Sequence, residues 1–163
     1  MIREKRISFG ASMSNMHAVN HFIEDICDHY NIFDSYFGNI LTAVTEAVQN
    51  AIVHGNRSNP SKRVELSFTS RADGLCFTVS DEGNGFNPNE MPDPTDLAND
   101  GLMGRGIFLM HSLADGIEFS DGGRTVELTF NITGIDQDLA ASRMTQMNTY
   151  FKSVKKTTGT SIQ

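Results

Sequence analysis

Three short stretches carry side chains whose types and spacing suit chemistry. In EAVQNAIVHGN, residues 46–56, Glu46 and Asn50 stand four positions apart and share one face if the segment is helical. Their neighbours Ala47, Val48, Ala51 and Ile52 are small or apolar, so the polar line is narrow. An amide oxygen in such a line suits Mg²⁺, a hard cation that keeps several waters and shares phosphate oxygens. A carboxylate there suits orienting or deprotonating a hydroxyl or a water. The alternative is a solvated stripe, where polar residues of an amphipathic helix ordinarily fall. His54 continues the line less closely, beside Gly55, and is read as a helix-end residue without chemistry.

In DEGNGF, residues 81–86, Asp81 stands where an alternating apolar segment runs out, a position open to a ligand. Gly83 lets a flat ligand approach the backbone, and Gly85 permits a positive φ. A plain Asp/Gly/Asn turn is the alternative. A calcium loop does not fit, because Gly83, Phe86 and Pro92 occupy positions that need Asp or Asn, Gly and Glu. In GLMGRGIFLM, residues 101–110, Gly104 and Gly106 open a helical pattern with Arg105 between them. Free N–H groups at a helix start favour phosphate, and Arg105 adds charge. No GK[ST] follows, so this is not a P-loop. The glycine spacing is also wrong for a dinucleotide fingerprint, and no βαβ unit surrounds it.

These residues need elements to hold them. Residues 3–10 read as a strand and 14–30 as a helix with Ser14 as its N-cap. The clearest helical period runs from 35 to 54, and Gly55 and Asn56 supply the stop. Val64, Leu66 and Phe68, then Leu75, Phe77 and Val79, alternate about Ala72, Asp73 and Gly74 as a hairpin. A long loop covers 81–103, a helix runs from Gly104 to Ala114, and Ile117 to Phe130 form a second hairpin around SDGGR. This order predicts an α+β fold: a two-layer sandwich of one mixed, mostly antiparallel sheet with helices on one face. Residues 1–134 form the domain. Residues 135–163 form an extension, a thinly apolar helix and then a frayed tail.

Composition narrows the function classes. The chain has 163 residues, with 13 Lys and Arg against 20 Asp and Glu, a net charge of −7. An acidic balance argues against direct nucleic-acid binding, which needs clustered cations to displace counterions. The N-terminus, MIREKRISFG, has no apolar stretch behind its charges, and no run reaches the length of a membrane helix. The expectation is a cytoplasmic protein off the membrane. Cys27 and Cys76 lie in apolar patterns outside any CxxC pair, so reduced core thiols are expected rather than a zinc site.

The three stretches in this order, followed by GGRTVELTF (122–130), resemble the N, G1 and G2 boxes of the gyrase/histidine-kinase ATP-binding superfamily, the Bergerat fold. The nearest likeness is to its single-domain branch, the bacterial anti-sigma-factor serine/threonine kinases, over residues 5–131. The resemblance implies ATP and Mg²⁺ as ligands, with Asn50 on the metal and Glu46 as base toward a protein hydroxyl. It implies that Asp81 accepts from the adenine amine, that Gly83 and Gly85 line the base pocket, and that Thr125 helps hold adenine, often through water. The amides of Gly104 and Gly106 then meet the phosphates, and residues 86–103 form a lid. A sigma factor, a STAS-domain anti-anti-sigma protein phosphorylated on Ser or Thr, and a homodimer are the partners implied. The rival is a non-catalytic anti-sigma module with ATP as structural ligand. Arg124 stands where the family often has a small residue or Thr. No helix with a phospho-accepting His precedes the domain, so histidine autokinase activity is not expected.

Overall fold

A computed structural model of the chain describes residues 2–32, 34–90 and 102–132. Their order is β1 (Glu4–Gly10), α1 (Met16–His29), α2 (Asp34–Asn50), β2 (Arg63–Arg71), β3 (Gly74–Asp81), α3 (Leu102–Leu113), β4 (Gly116–Ser120) and β5 (Thr125–Phe130). The strands lie side by side as β1-β2-β3-β5-β4, and each of the four pairings is antiparallel. The α+β two-layer arrangement expected from the sequence is what is observed. The second hairpin folds back so that its later strand, β5, joins β3 and its earlier strand, β4, takes the edge.

Strand alternation sorts the sheet into two faces. Leu66 pairs with Val79, and Val79 with Val126; Phe68 pairs with Phe77, and Phe77 with Leu128. All of these side chains are buried on the helix side. The other face carries Ser67, Thr78, Ser80, Thr125 and Glu127, where Arg71 grips Glu127 through two bonds of 2.7 Å. Val19, Phe22, Ile23, Ile26 and Cys27 give α1 its buried stripe, and Ile40, Val44, Ala47 and Val48 do the same for α2. Cys27 and Cys76 are free and buried, and burial pushes the Cys27 thiol up to about 12. Among the described residues no helix is long and apolar enough to cross a membrane.

Two element ends differ from expectation. Ser14 does not cap α1: the helix starts after Asn15, whose side chain makes no capping bond, and Ser12 instead accepts from the Ser14 N–H at the start of a 3₁₀ turn, Met13–Asn15, that leads into α1. The helix predicted to reach residue 54 is α-helical only to Asn50; Ala51–Gly55 continue it as a wider π turn. Such turns occur often at functional sites. The predicted extension 135–163 and most of the predicted lid lie outside the described residues.

Asn56 closes the corner after the π turn. It is the buried polar residue of the described core, 1% exposed. Its Nδ2 donates to Arg63 O at 2.8 Å, and its Oδ1 accepts from Glu82 N–H at 2.9 Å. One side chain thereby ties the helix end to the start of β2 and the end of β3. Asn56→Ala leaves both partners without a bond inside the corner, at about 1–3 kcal/mol for each. Urea unfolding should show that loss; an unchanged midpoint would mean the corner holds without Asn56.

Candidate functional site

The helical period delivers Glu46 and Asn50 to one face of α2, and α3 crosses that face at Gly106. A Cβ at Gly106 would lie 2.9 Å from Glu46 Oε2 and 3.0 Å from Asn50 Nδ2. Glycine therefore leaves the gap in which these two polar groups stand. Asn50 Nδ2 is buried and has no hydrogen-bond partner among the described residues. Buried polar atoms are nearly always paired; Asn20 Oδ1 and Thr45 Oγ1 are unpaired as well, and of the three residues Asn50 lines the cavity described below.

Asp81 arrives from the end of β3. Its N–H donates to Arg124 O at 3.0 Å, and its Oδ1 accepts from Gly83 N–H at 2.7 Å. The carboxylate nests against the end of the π turn. A Cβ at Gly55 would fall 2.4 Å from Asp81 Cγ, and one at Gly83 only 2.1 Å from Gly55 O. At Gly83 the neighbour is backbone, so no larger residue fits; at Gly55 it is the Asp81 carboxylate, which a Cβ would push out of place. Gly85 has the positive φ expected of it, 73°.

Asn50 and Asp81 open into one cavity of about 570 Å³, counting its mouth. Val79, Ile107, Met110 and Phe119 give it apolar walls. Phe86 and Phe119 meet edge to face across one side, with centroids 5.3 Å apart. An apolar slot with a few convergent polar groups is the usual form of a small-molecule site. Among the described residues no cluster of three or more His, Cys, Asp or Glu side chains gathers to hold a metal. A cation here must bring most of its own ligands. That suits Mg²⁺ carried in with phosphates and water, since a half-turn about χ2 presents Asn50 Oδ1 in place of Nδ2.

Burial raises the Asp81 carboxyl above the ordinary carboxylate range, although the Gly83 N–H and the Arg124 and Lys62 charges pull the other way. A raised folded-state value means that this group favours the folded state at low pH. The benefit is lost as pH rises through the raised value. Asp81→Asn keeps an acceptor for the Gly83 N–H and removes the charge. The variant should melt higher than wild type at pH 7, with the difference shrinking as pH falls toward 4. Equal melting temperatures at pH 7 would show that the charge carries no such cost.

Residues 9–130 match the family model of the histidine kinase-like ATPase domain. The chain belongs to that family. It is 35% identical over 96 residues to the anti-sigma F factor of Bacillus cytotoxicus, covering 55% of this chain and 66% of that protein. It is 37% identical over 82 residues to the anti-sigma F factor of Clostridium perfringens, covering 48% of this chain and 59% of the relative. The matched segments thus span less than two thirds of these relatives. The fold is similar to the RsbU and RsbW domains of Rv1364c from Mycobacterium tuberculosis, at a TM-score of 0.57 and 18% identity over 78% of this chain and 32% of that one.

Within this ATPase domain, some predicted site residues converge and others do not. Asn50, Asp81 and Gly85 line the cavity, and Glu46 and Gly106 adjoin it through Asn50. Gly83 is buried and acts through the bond that orients Asp81. Helix α3 begins at Leu102, so Gly104 lies in its first turn, where amides lack partners within the helix. Gly106 falls in the second turn, so its N–H does not belong to the free helix start. Arg105 is exposed and does not line the cavity.

Thr125 is a correction. Its hydroxyl pairs with Ser80 Oγ at 2.9 Å, and it is absent from the cavity wall. The alternation that buries Val126, Leu128 and Phe130 turns Thr125 to the opposite face. Arg124 and His54 line the cavity instead. His54 was signalled by its place on the Glu46–Asn50 line; Arg124, in a turn, had no periodic signal.

Proposed function

We propose that the chain is an ATP-dependent anti-sigma factor that phosphorylates a STAS-domain anti-anti-sigma protein on Ser or Thr. The observation that supports it best is Asn50, its buried Nδ2 unpartnered among the described residues, sharing one cavity with Asp81 under the gap left by Gly106. The names of the relatives support the regulatory role. ATP, when bound, supplies the phosphoryl group, and Mg²⁺ offsets its charge.

In this reading Asp81 accepts a hydrogen bond from the exocyclic amine of the base, while the apolar walls hold its faces. Asn50 offers its amide oxygen to the cation. Glu46 takes the proton of the incoming hydroxyl. Such transfer relies mostly on positioning and charge stabilisation, with little covalent work for the protein. A sigma factor is the second partner, a homodimer the assembly, and the cytoplasm the compartment.

Incubation with γ-labelled ATP, Mg²⁺ and candidate STAS proteins tests the reading. Label should appear on a partner Ser or Thr and require Glu46. Tight sigma binding with ADP retained and no label on any partner would replace the kinase with a sequestering module.

A further inference from the structure

Arg124 occupies the wall beside Asp81, and the reading above gives it no task. Its Nε–H donates to Asp121 O at 3.1 Å, and Nη2 donates to Asp121 Oδ1 at 2.6 Å. The side chain stem packs where a Cβ on Gly85 would come within 3.3 Å of Arg124 Cγ. The guanidinium is therefore anchored at one edge. Its remaining N–H donors have no partner among the described residues, although the side chain lines the cavity.

We propose that Arg124 reads the base: its free N–H donors bond the ring acceptor beside the exocyclic amine that Asp81 accepts. The inference rests on the nucleotide reading above and extends it to base recognition. Adenine presents a donor, the N6 amine, next to an acceptor, N1. A carboxylate alone satisfies only the donor. A guanidinium on the same cavity wall as that carboxylate supplies the missing half, in a planar geometry that matches the ring plane. Two further features fit. The Asp121 contacts, an exposed pair, bias the guanidinium toward one orientation at the cavity rim before a ligand arrives, which lowers the ordering cost of binding. The opposite charges of Arg124 and Asp81 also keep a net field from building at the base slot.

Calorimetry with ADP and with 1-deaza-ADP, which has C–H in place of N1, tests this. Wild type should bind 1-deaza-ADP about 10- to 100-fold more weakly than ADP, the range for a hydrogen bond to a charged donor. Arg124→Met keeps the stem beside Gly85 and removes the donors. It should weaken ADP by a similar factor and bring the two ligands within about threefold of each other, because the paired loss is not counted twice. Arg124→Leu provides the same comparison if the Met variant folds poorly. A wild-type ratio near one, or a ratio unchanged in the variants, overturns the role of Arg124 while leaving ADP binding intact. Failure of wild type to bind either ligand overturns the nucleotide reading and this inference together.

Discussion

Glu46→Gln should leave ADP affinity at the wild-type level and lower phosphoryl transfer to a STAS protein by about 10²- to 10⁴-fold, the usual contribution of a general base. The two side chains have nearly the same shape, so the gap beneath Gly106 is filled as before. What the variant loses is the ability to take a proton. ADP affinity should hold because Asn50 and Asp81 line the cavity, whereas Glu46 stands beside it, against Gly106. The split between binding and transfer is the informative part, since a disturbed pocket would lower both. Calorimetry for ADP and label transfer under single-turnover conditions measure the two quantities separately. Transfer at the wild-type rate would remove Glu46 from the chemistry.

Much of the site is legible in the sequence because helix and strand periods fix which residues share a face. The four-position spacing of Glu46 and Asn50 places them together wherever the helix goes. The end of an alternating run places Asp81 at the rim of a sheet. Neither period says that these two points meet. That follows from the pairing of β2 with β3 and from the π turn that carries Gly55 against the Asp81 carboxylate, both contacts between distant parts of the chain.

Thr125 illustrates the opposite case. The resemblance placed it at the base, yet the apolar alternation at Val126, Leu128 and Phe130 already turned its side chain away. Where a motif and a strand period disagree about a face, the period follows from backbone geometry and the motif only from likeness. Arg124 lies in the turn before β5, where no period applies, and only the folded loop brings it beside Asp81. Asn56 was legible as a stop but not as a brace, because its partners, Arg63 and Glu82, come from two other elements.

Gly106 separates two accounts of the same residue. As an amide donor to phosphate it needs only its N–H, and alanine keeps that. As a clearance between α3 and α2 it needs the absent Cβ, which would stand 2.9 Å from Glu46 Oε2 and 3.0 Å from Asn50 Nδ2. Both atoms are the far ends of flexible side chains, so the methyl displaces them at small cost to the fold. Alanine also favours a helix interior over glycine by about 1 kcal/mol. Gly106→Ala should therefore unfold at the same urea concentration as wild type or slightly higher. Its transfer rate should fall by about 10²-fold, the effect of moving a reacting group by roughly 1 Å. Stability and activity then move in opposite directions, which simple disruption of the fold does not produce. Transfer at the wild-type rate would mean that Glu46 and Asn50 do not need the space that glycine leaves them.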